Sequence, residues 1–278
     1  GEGAREQMKD LGYYNGRFGA VEEMTVPFND RVHFFGDGFA RAFNIQFTDK
    51  DNTRKFPFQT SWGVSTRLIG GIIMTHGDNN GLVLPPAVAP VQIIIVPIAQ
   101  HKEGVLEACR ALRDRLKGSF RVKLDESENS AGWKFAQYEM KGVPLRIELG
   151  PRDIEAGQCV MVTRHNGEKH IVSLESIESS AAEMLKNVHD GLYEKALANR
   201  EHRTYACKTP DEINAALAEK GDGFVKTMWC GSPECEAKMK ELCGITSRCI
   251  PFDQTPVGDR CICCGKPANT VLYWGKAY

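Results

Sequence analysis

Residues 91–117 read VQIIIVPIAQHKEGVLEACRALRDRLK and contain two hydrophobic patterns in succession. The first eight residues are almost continuously apolar, which is typical of a strand buried on both faces. Residues 104–117 then repeat apolar side chains at the spacing of one helix face; they are Val105, Ala108, Cys109, Leu112 and Leu116. A buried strand followed by an amphipathic helix predicts an α/β domain.

The same alternation continues to about residue 205. Residues 121–124, 145–149 and 159–163 have the pattern of strands, and residues 133–141 and 181–196 have the pattern of helices. Asn166-Gly167 is a turn signal after the last of these strands. We therefore predict an α/β domain over residues 91–205, with a mostly parallel sheet.

The preceding block, residues 1–90, is rich in glycine and aromatic residues and is predicted to form a separate domain. Residues 41–47 alternate apolar and polar side chains, which favours a strand. Residues 68–74 form an apolar run with glycines at 70 and 71, which we interpret as a buried strand approached closely by a ligand. The proline pair at residues 85–86 ends the block.

Cysteines are concentrated in a third block, residues 206–278, where eight of the ten lie. The block opens with a capping box at residues 209–212 that predicts a helix. Cys230 and Cys235 form one closely spaced pair, and Cys261 and Cys264 form a second. Two such pairs suit a structural Zn²⁺ bound by four thiolates. Cys263 is an alternative to either member of the second pair, and buried free cysteines are the alternative to a metal site.

Composition excludes some classes of protein. The chain has 35 basic and 36 acidic residues, so it is not a globally basic nucleic-acid coat protein. The longest apolar run is too short to cross a bilayer, so no membrane partner is expected. Residues 1–6 show no secretory signal, which favours a cytoplasmic protein. The first residue is not methionine, which suggests processing or a fragment.

Three long strings resemble one family in the order in which they occur. They are SWGVSTRLIG at 61–70 with HGDNNGLVLPP at 76–86, GWKFAQYEMKGVPLRIELGPRD at 132–153, and the cysteine-rich segment from residue 230 to the terminal tyrosine. They resemble prolyl-tRNA synthetases of the archaeal and eukaryotic-cytosolic type from about residue 33 onward. The resemblance implies the C-terminal part of a class II antiparallel-sheet catalytic domain, an α/β anticodon-binding domain and a small zinc-binding α+β domain.

The resemblance also implies an activity, the ATP-dependent attachment of proline to tRNA(Pro) through prolyl-adenylate, by a homodimer that uses Mg²⁺ with ATP. Arg67 lies at the position of the family's motif 3 arginine, which stacks on adenine and offsets phosphate charge, a pairing that a planar guanidinium allows. Arg67 and His33 are the implied catalytic residues. The implied contacts to proline or ATP are Trp62, Ser65, Thr66, Arg67, Gly70 and His76.

The anticodon-binding string implies four nucleotide contacts. By resemblance, Glu139 and Arg146 read the anticodon guanines: a carboxylate accepts from N1 and N2, and a guanidinium donates to O6 and N7. Lys169 is a further contact to a phosphate or base. Trp133 either stacks on a base or belongs to the core.

Two departures from the family leave alternatives open. Motifs 1 and 2 of class II synthetases are absent from these 278 residues, and Phe28 and Arg31 stand where the family has Gln and Thr. The chain is therefore interpreted as a part of an active synthetase. The alternatives are a catalytically inactive paralogue that binds RNA or assists assembly, and a split enzyme with motifs 1 and 2 on a partner chain.

Overall fold

The computed structural model describes residues 24–25, 31–63 and 66–276. Its chain divides into two compact units, one made of Gly1–Leu68 with Asn199–Tyr278 and the other of Ile69–Ala198. Among the residues it describes, helices that combine the length and the apolar character needed to cross a membrane are absent.

The described residues of the N-terminal part form short strands and the helices α1 and α2. Strands β1, β2 and β5 form an antiparallel sheet in that order, and β3 pairs with β4 in a small hairpin. The elements are β1 (Met24–Thr25), β2 (Arg31–Gly36), α1 (Gly38–Ala42), β3 (Phe47–Thr48), β4 (Arg54–Lys55), β5 (Gln59–Gly63) and α2 (Arg67–His76).

Two strands predicted in this part are wrong. Residues 41–47 end helix α1, pass through Asn44 at a φ of 51°, and only then enter β3, so alternation over seven residues did not imply one strand. Residues 68–74 lie inside α2. Ile69, Ile73 and Met74 are 61%, 46% and 68% exposed there. The periodicity of a short apolar run is compatible with either a helix or a strand. The prediction of a strand at residues 68–74 was therefore wrong.

The middle unit is built on a five-stranded sheet in the order β10-β9-β8-β6-β7. Its elements are β6 (Ile93–Pro97), α3 (Val105–Leu116), β7 (Val122–Leu124), α4 (Ala131–Met140), β8 (Leu145–Leu149), α5 (Pro151–Glu155), β9 (Gln158–Thr163), β10 (Lys169–Ser173) and α6 (Ile177–His202). The predicted elements of residues 91–205 are thus confirmed. The prediction of a mostly parallel sheet is wrong, because β8, β9 and β10 pair antiparallel.

Connection length explains the mixed sheet. A parallel crossover needs about a dozen residues or more. The links from β6 to β7 and from β7 to β8 each carry a helix of ten residues or more. By contrast, the β8–β9 link holds only the five-residue α5, and the β9–β10 link is a short turn with Gly167 at a φ of 73°. These two links are too short for crossovers, so the strands reverse direction.

The sheet has a core on each face. Ile93 and Ile95 of β6 pack with Leu112 of α3 and Leu185 of α6 on one face. Ile94 of the same strand packs on the other face, in a cluster with residues of α4. All five residues of β6 are buried, as the apolar run predicted.

The C-terminal part forms a four-stranded sheet in the order β11-β12-β14-β13. Its elements are β11 (Thr204–Ala206), α7 (Pro210–Lys220), β12 (Phe224–Trp229), α8 (Pro233–Cys243), β13 (Ile245–Cys249) and β14 (Thr270–Lys276). The predicted cap of α7 is confirmed, because the Thr209 hydroxyl accepts from the Glu212 N–H at 3.2 Å. Trp274 is fully buried and donates from Nε1 to the Thr227 hydroxyl at 2.9 Å.

Candidate functional site

Four cysteine thiols meet in the C-terminal part of the chain. The Sγ atoms of Cys230, Cys235, Cys261 and Cys264 all lie within 4.8 Å of one another. The Cys230–Cys235 distance is 3.7 Å and the Cys230–Cys264 distance is 3.8 Å. Four thiolates bound to Zn²⁺ at about 2.3 Å stand about 3.8 Å apart at the corners of a tetrahedron, whereas a disulfide needs about 2.05 Å. This cluster can hold a metal ion.

Two tight turns bring the thiols together. Gly231 has a φ of 84°, and the Ser232 hydroxyl accepts from the Cys235 N–H at 3.4 Å as the cap of α8. In the second turn Gly265 has a φ of 70°, and its N–H donates to the Cys261 carbonyl at 2.9 Å. The four thiols are those predicted from the spacing. Cys263, the alternative ligand, is outside the group.

The thiols differ in acidity. The backbone N–H of Lys266 lowers the pKa of Cys264 to about 7. Burial raises the pKa of Cys230 and of Cys235 above the ordinary thiol value. A metal ion that binds here therefore has to displace protons from the buried thiols, so its affinity rises with pH.

A second group of candidate residues lies on the sheet of the middle unit. Ladder pairing aligns Arg146 of β8, Val162 of β9 and Lys169 of β10 in one row, and paired residues point to the same face. Helix α4 covers this face near β6 through Tyr138. The β10 end is open, since Lys169 is exposed and Ile171 of the next row is 72% exposed.

Arg146 is held in place from two sides. Its Nε and Nη2 both lie 2.9 Å from Oε1 of Glu148, and its Cζ lies 4.1 Å from the centre of the Phe135 ring. An arginine has five N–H groups, and the contacts to Glu148 use two of them. The guanidinium is therefore pre-ordered and retains donors for an acceptor such as a base edge.

Two further candidate residues lie on α4, the helix that covers this face near β6. Trp133 is 50% exposed, so it is not a core residue. Its backbone N–H is capped by the Ser130 hydroxyl at 3.3 Å, which fixes the start of the helix. Glu139 in the last turn is half-buried, and its carboxylate accepts from the Asn80 side chain at 3.2 Å.

Comparisons with known proteins match both parts of the chain that carry these residues. Residues 92–184 match the anticodon binding domain family, and residues 210–278 match the family described as prolyl-tRNA synthetase, C-terminal. Proline–tRNA ligases of Ruminiclostridium cellulolyticum and Clostridium novyi are 55% and 53% identical to the chain over 246 residues. These alignments cover 88% of this chain and 51% of each relative.

The chain carries the C-terminal region of the prolyl-tRNA synthetase family. It spans about half the length of the curated relatives it matches. The solved structure of Cryptosporidium parvum prolyl-tRNA synthetase, in complex with halofuginone and AMPPNP, superposes with a TM-score of 0.82 at 36% identity. That match covers 90% of this chain and 54% of the other.

The residues predicted to bind proline and ATP in this family are described only in part. His33 lies in β2, Trp62 in β5 and Arg67 at the start of α2, and their side chains lie outside the described part of the chain. Strand pairing sets His33 opposite residue 61, next to Trp62. Ser65, together with Phe28, also lies outside the described residues, as does the side chain of Arg31.

The three remaining residues of that set lie in or beside α2. Thr66 is exposed and directly precedes the helix. Gly70 lies inside the helix, so its predicted role as a gap in a strand is wrong. His76 ends the helix and is half-buried. Burial, followed by the charge of Lys195, lowers the pKa of His76, so its imidazole is neutral at pH 7.

One contact network beside Glu139 was not predicted from the sequence. Arg164 directs Nη1 and Nη2 to the two carboxylate oxygens of Asp78, each at 2.7 Å, and its side chain is 6% exposed. The Arg164 Nε also donates to the Glu139 carbonyl at 2.9 Å. Asp78 and Asn80 belong to the family-like string at 76–86. Their partners are 86 and 59 residues away, and local spacing carries no signal for contacts at that separation.

Proposed function

We propose that this chain provides the motif 3 segment, the anticodon-binding domain and the metal-binding domain of an ATP-dependent proline–tRNA ligase. The reaction joins proline to ATP as prolyl-adenylate with release of pyrophosphate, and then transfers the prolyl group to tRNA(Pro). The proposal is supported by the names of the relatives and by the AMPPNP in the Cryptosporidium parvum enzyme. Mg²⁺ would accompany ATP, and we extend the proposal to a cytoplasmic homodimer.

The observation that carries this proposal is the pre-ordered guanidinium of Arg146, which lies in one row of the sheet with the exposed Lys169. We assign Arg146 to O6 and N7 of an anticodon guanine, and Glu139 to the N1 and N2 donors of a guanine. Trp133 would stack on an unpaired base, and Lys169 would contact a phosphate. Bases splayed from an anticodon loop expose the edges that such contacts need.

The proposed chemistry at ATP requires fixed positive charge near the phosphates, because the transition state of adenylate formation is anionic there. We assign this role to Arg67. His33 and Trp62 are proposed to line the proline pocket, and Ser65 and Thr66 to contact the nucleotide. Gly70 and His76 complete the proposed set, with Gly70 acting from α2.

For the four-cysteine cluster we propose a structural Zn²⁺. The sulfur separations match tetrahedral zinc thiolate geometry. Four protein ligands leave no open position, so the ion would stabilise the fold and would not take part in the reaction. Metal content measured by plasma mass spectrometry tests this, with one zinc per chain expected. Cys235→Ser and Cys261→Ser should lose it, whereas Cys249→Ser, an exposed thiol outside the cluster, should retain it.

Binding of tRNA by the chain tests the anticodon assignment. Filter binding would compare tRNA(Pro) with a tRNA that lacks guanine in the anticodon. Because a good bidentate base contact is worth about 1–3 kcal/mol, Arg146→Lys should reduce discrimination at least about fivefold. Lys117→Ala is the matched control, since it lies at the end of α3, which packs on the opposite face. Equal binding of both tRNAs by the wild-type chain would exclude the anticodon-reading role.

The enzyme activity itself is tested on the complete gene product by proline-dependent exchange of pyrophosphate into ATP. Exchange above background is expected, and Arg67→Ala should abolish it. A complete product that binds tRNA(Pro) selectively but shows no exchange would instead support a catalytically inactive paralogue.

A further inference from the structure

Residues 77–84, here called the strap, run along the end of helix α4. The Leu82 N–H donates to the Met140 carbonyl at 3.0 Å, and the Leu84 N–H donates to the Gly142 carbonyl at 3.1 Å. A side chain at Gly81 would lie 2.6 Å from Met140 Cα, so the two backbones touch there. The strap is therefore part of the surface that surrounds the last turn of α4.

Arg164 fixes the strap to that turn. Its guanidinium binds both oxygens of Asp78 in the strap and the carbonyl of Glu139 in the helix. The buried guanidinium holds the pKa of Asp78 at about 2, so the pair is charged at neutral pH. Bidentate arginine–carboxylate pairs have a defined geometry, so this contact sets the distance between strap and helix.

Asn80 uses that fixed position to reach Glu139. The Asp78 carboxylate accepts from the Asn80 backbone N–H at 2.9 Å, which orders the strap residue. The Asn80 side chain then donates to Oε1 of Glu139 at 3.2 Å. A carboxylate has about four acceptor positions, so one bond from Asn80 leaves enough for the two donors of a guanine.

We propose that Asn80 is a positioning residue for anticodon reading, which holds the Glu139 carboxylate in the orientation that accepts the N1–H and N2–H of guanine. This inference rests on the proposed function of Glu139. Without Asn80 the Glu139 carboxylate samples several rotamers in water. Restricting it to one rotamer when the base binds then reduces the binding free energy. Asn80 itself makes no contact with the base.

Inosine, which lacks the N2 amino group of guanine, provides the test. Labelled tRNA(Pro) transcripts with each anticodon guanine replaced in turn by inosine would be titrated with the chain, and the ratio of the two dissociation constants measured. For the position read by Glu139, Asn80→Ala should reduce the guanine preference about three- to tenfold. Asn80→Asp, which places a second carboxylate beside Glu139, should reduce it at least as much. If Asn80 had a purely structural role, its substitution would weaken binding of the guanine and inosine RNAs equally and leave the ratio unchanged.

Controls separate the inference from the function on which it rests. Asn79→Ala changes the neighbouring exposed strap residue and should keep the wild-type ratio. Glu139→Gln should lose the preference; if it does not, the proposed role of Glu139 is wrong. If Glu139→Gln loses the preference while Asn80→Ala and Asn80→Asp both retain it, the positioning role of Asn80 is overturned.

Discussion

A single added methyl group at Gly142 should release the strap from helix α4. Gly142 has a φ of 70°, and a Cβ there would lie 2.6 Å from the Leu82 Cβ and 2.7 Å from the Leu82 carbonyl. Two costs are expected for Gly142→Ala. A side chain at a left-handed backbone position costs about 1–2 kcal/mol. The overlap with Leu82 adds about 1–3 kcal/mol for as long as the strap stays in contact with α4.

The matched control is Gly157→Ala. Gly157 has a φ of 64° and open space where a Cβ would stand, so this variant carries the backbone cost alone. Hydrogen exchange of the Leu82 and Leu84 amides is the direct assay, because both donate across the strap contact. The overlap should speed their exchange about fivefold or more in Gly142→Ala relative to Gly157→Ala. Equal exchange in the two variants would refute the backbone contact between strap and helix.

Three further outcomes follow from other contacts. Trp133→Ala should weaken tRNA binding at least about fivefold through lost stacking and leave the melting temperature nearly unchanged, since the ring is half exposed; calorimetry and a binding titration check both. The Arg164 partner depresses the pKa of Asp78 from 3.8 to about 2, so its contribution to stability is complete above about pH 5 and is lost as pH falls toward 2. One-third of the Asp78 side chain is exposed, so we expect Asp78→Asn to lower the free energy of unfolding by about 1 kcal/mol at pH 7. The difference from the wild-type chain should shrink progressively below pH 4, which urea titrations at several pH values would measure. Lys134 is 1% exposed, and its Nζ lies 3.8 Å from the buried carboxylate of Asp125. Lys134→Met leaves that carboxylate without its cationic partner, so it should lower the free energy of unfolding by about 3 kcal/mol; an unchanged urea midpoint would contradict this.

Local patterns predicted those features of the chain that depend on neighbouring residues. The predictions of the buried strand β6, the buried face of α3 and the Thr209 N-cap were all correct. Hydrophobic periodicity and helix capping depend only on residues a few positions apart. The cysteine pairs were also predictable, since each pair spans a single turn. That the two pairs meet was an inference from zinc chemistry, which the structure supports.

The errors arose where the outcome depends on distant partners. The run at 68–74 is apolar enough for a strand or a helix, and only the surrounding structure decides between them. Sheet direction depended on the shortness of the α5 link. The Asn80–Glu139 contact joins residues that no local pattern relates, so the sequence identified the base-reading candidate without its support.

The position of β14 has a consequence for how the C-terminal sheet folds. This strand lies between β12 and β13, yet both cysteine pairs precede it in the chain. Its first ladder pair joins Thr270 to Trp229, next to Cys230, and Cys264 lies only six residues upstream. The short segment between Cys264 and Thr270 therefore links the thiol cluster to the strand that fills the gap between β12 and β13. Assembly of the four thiols beside Cys230 restricts where β14 can enter that gap, so the cluster and the sheet are expected to form together.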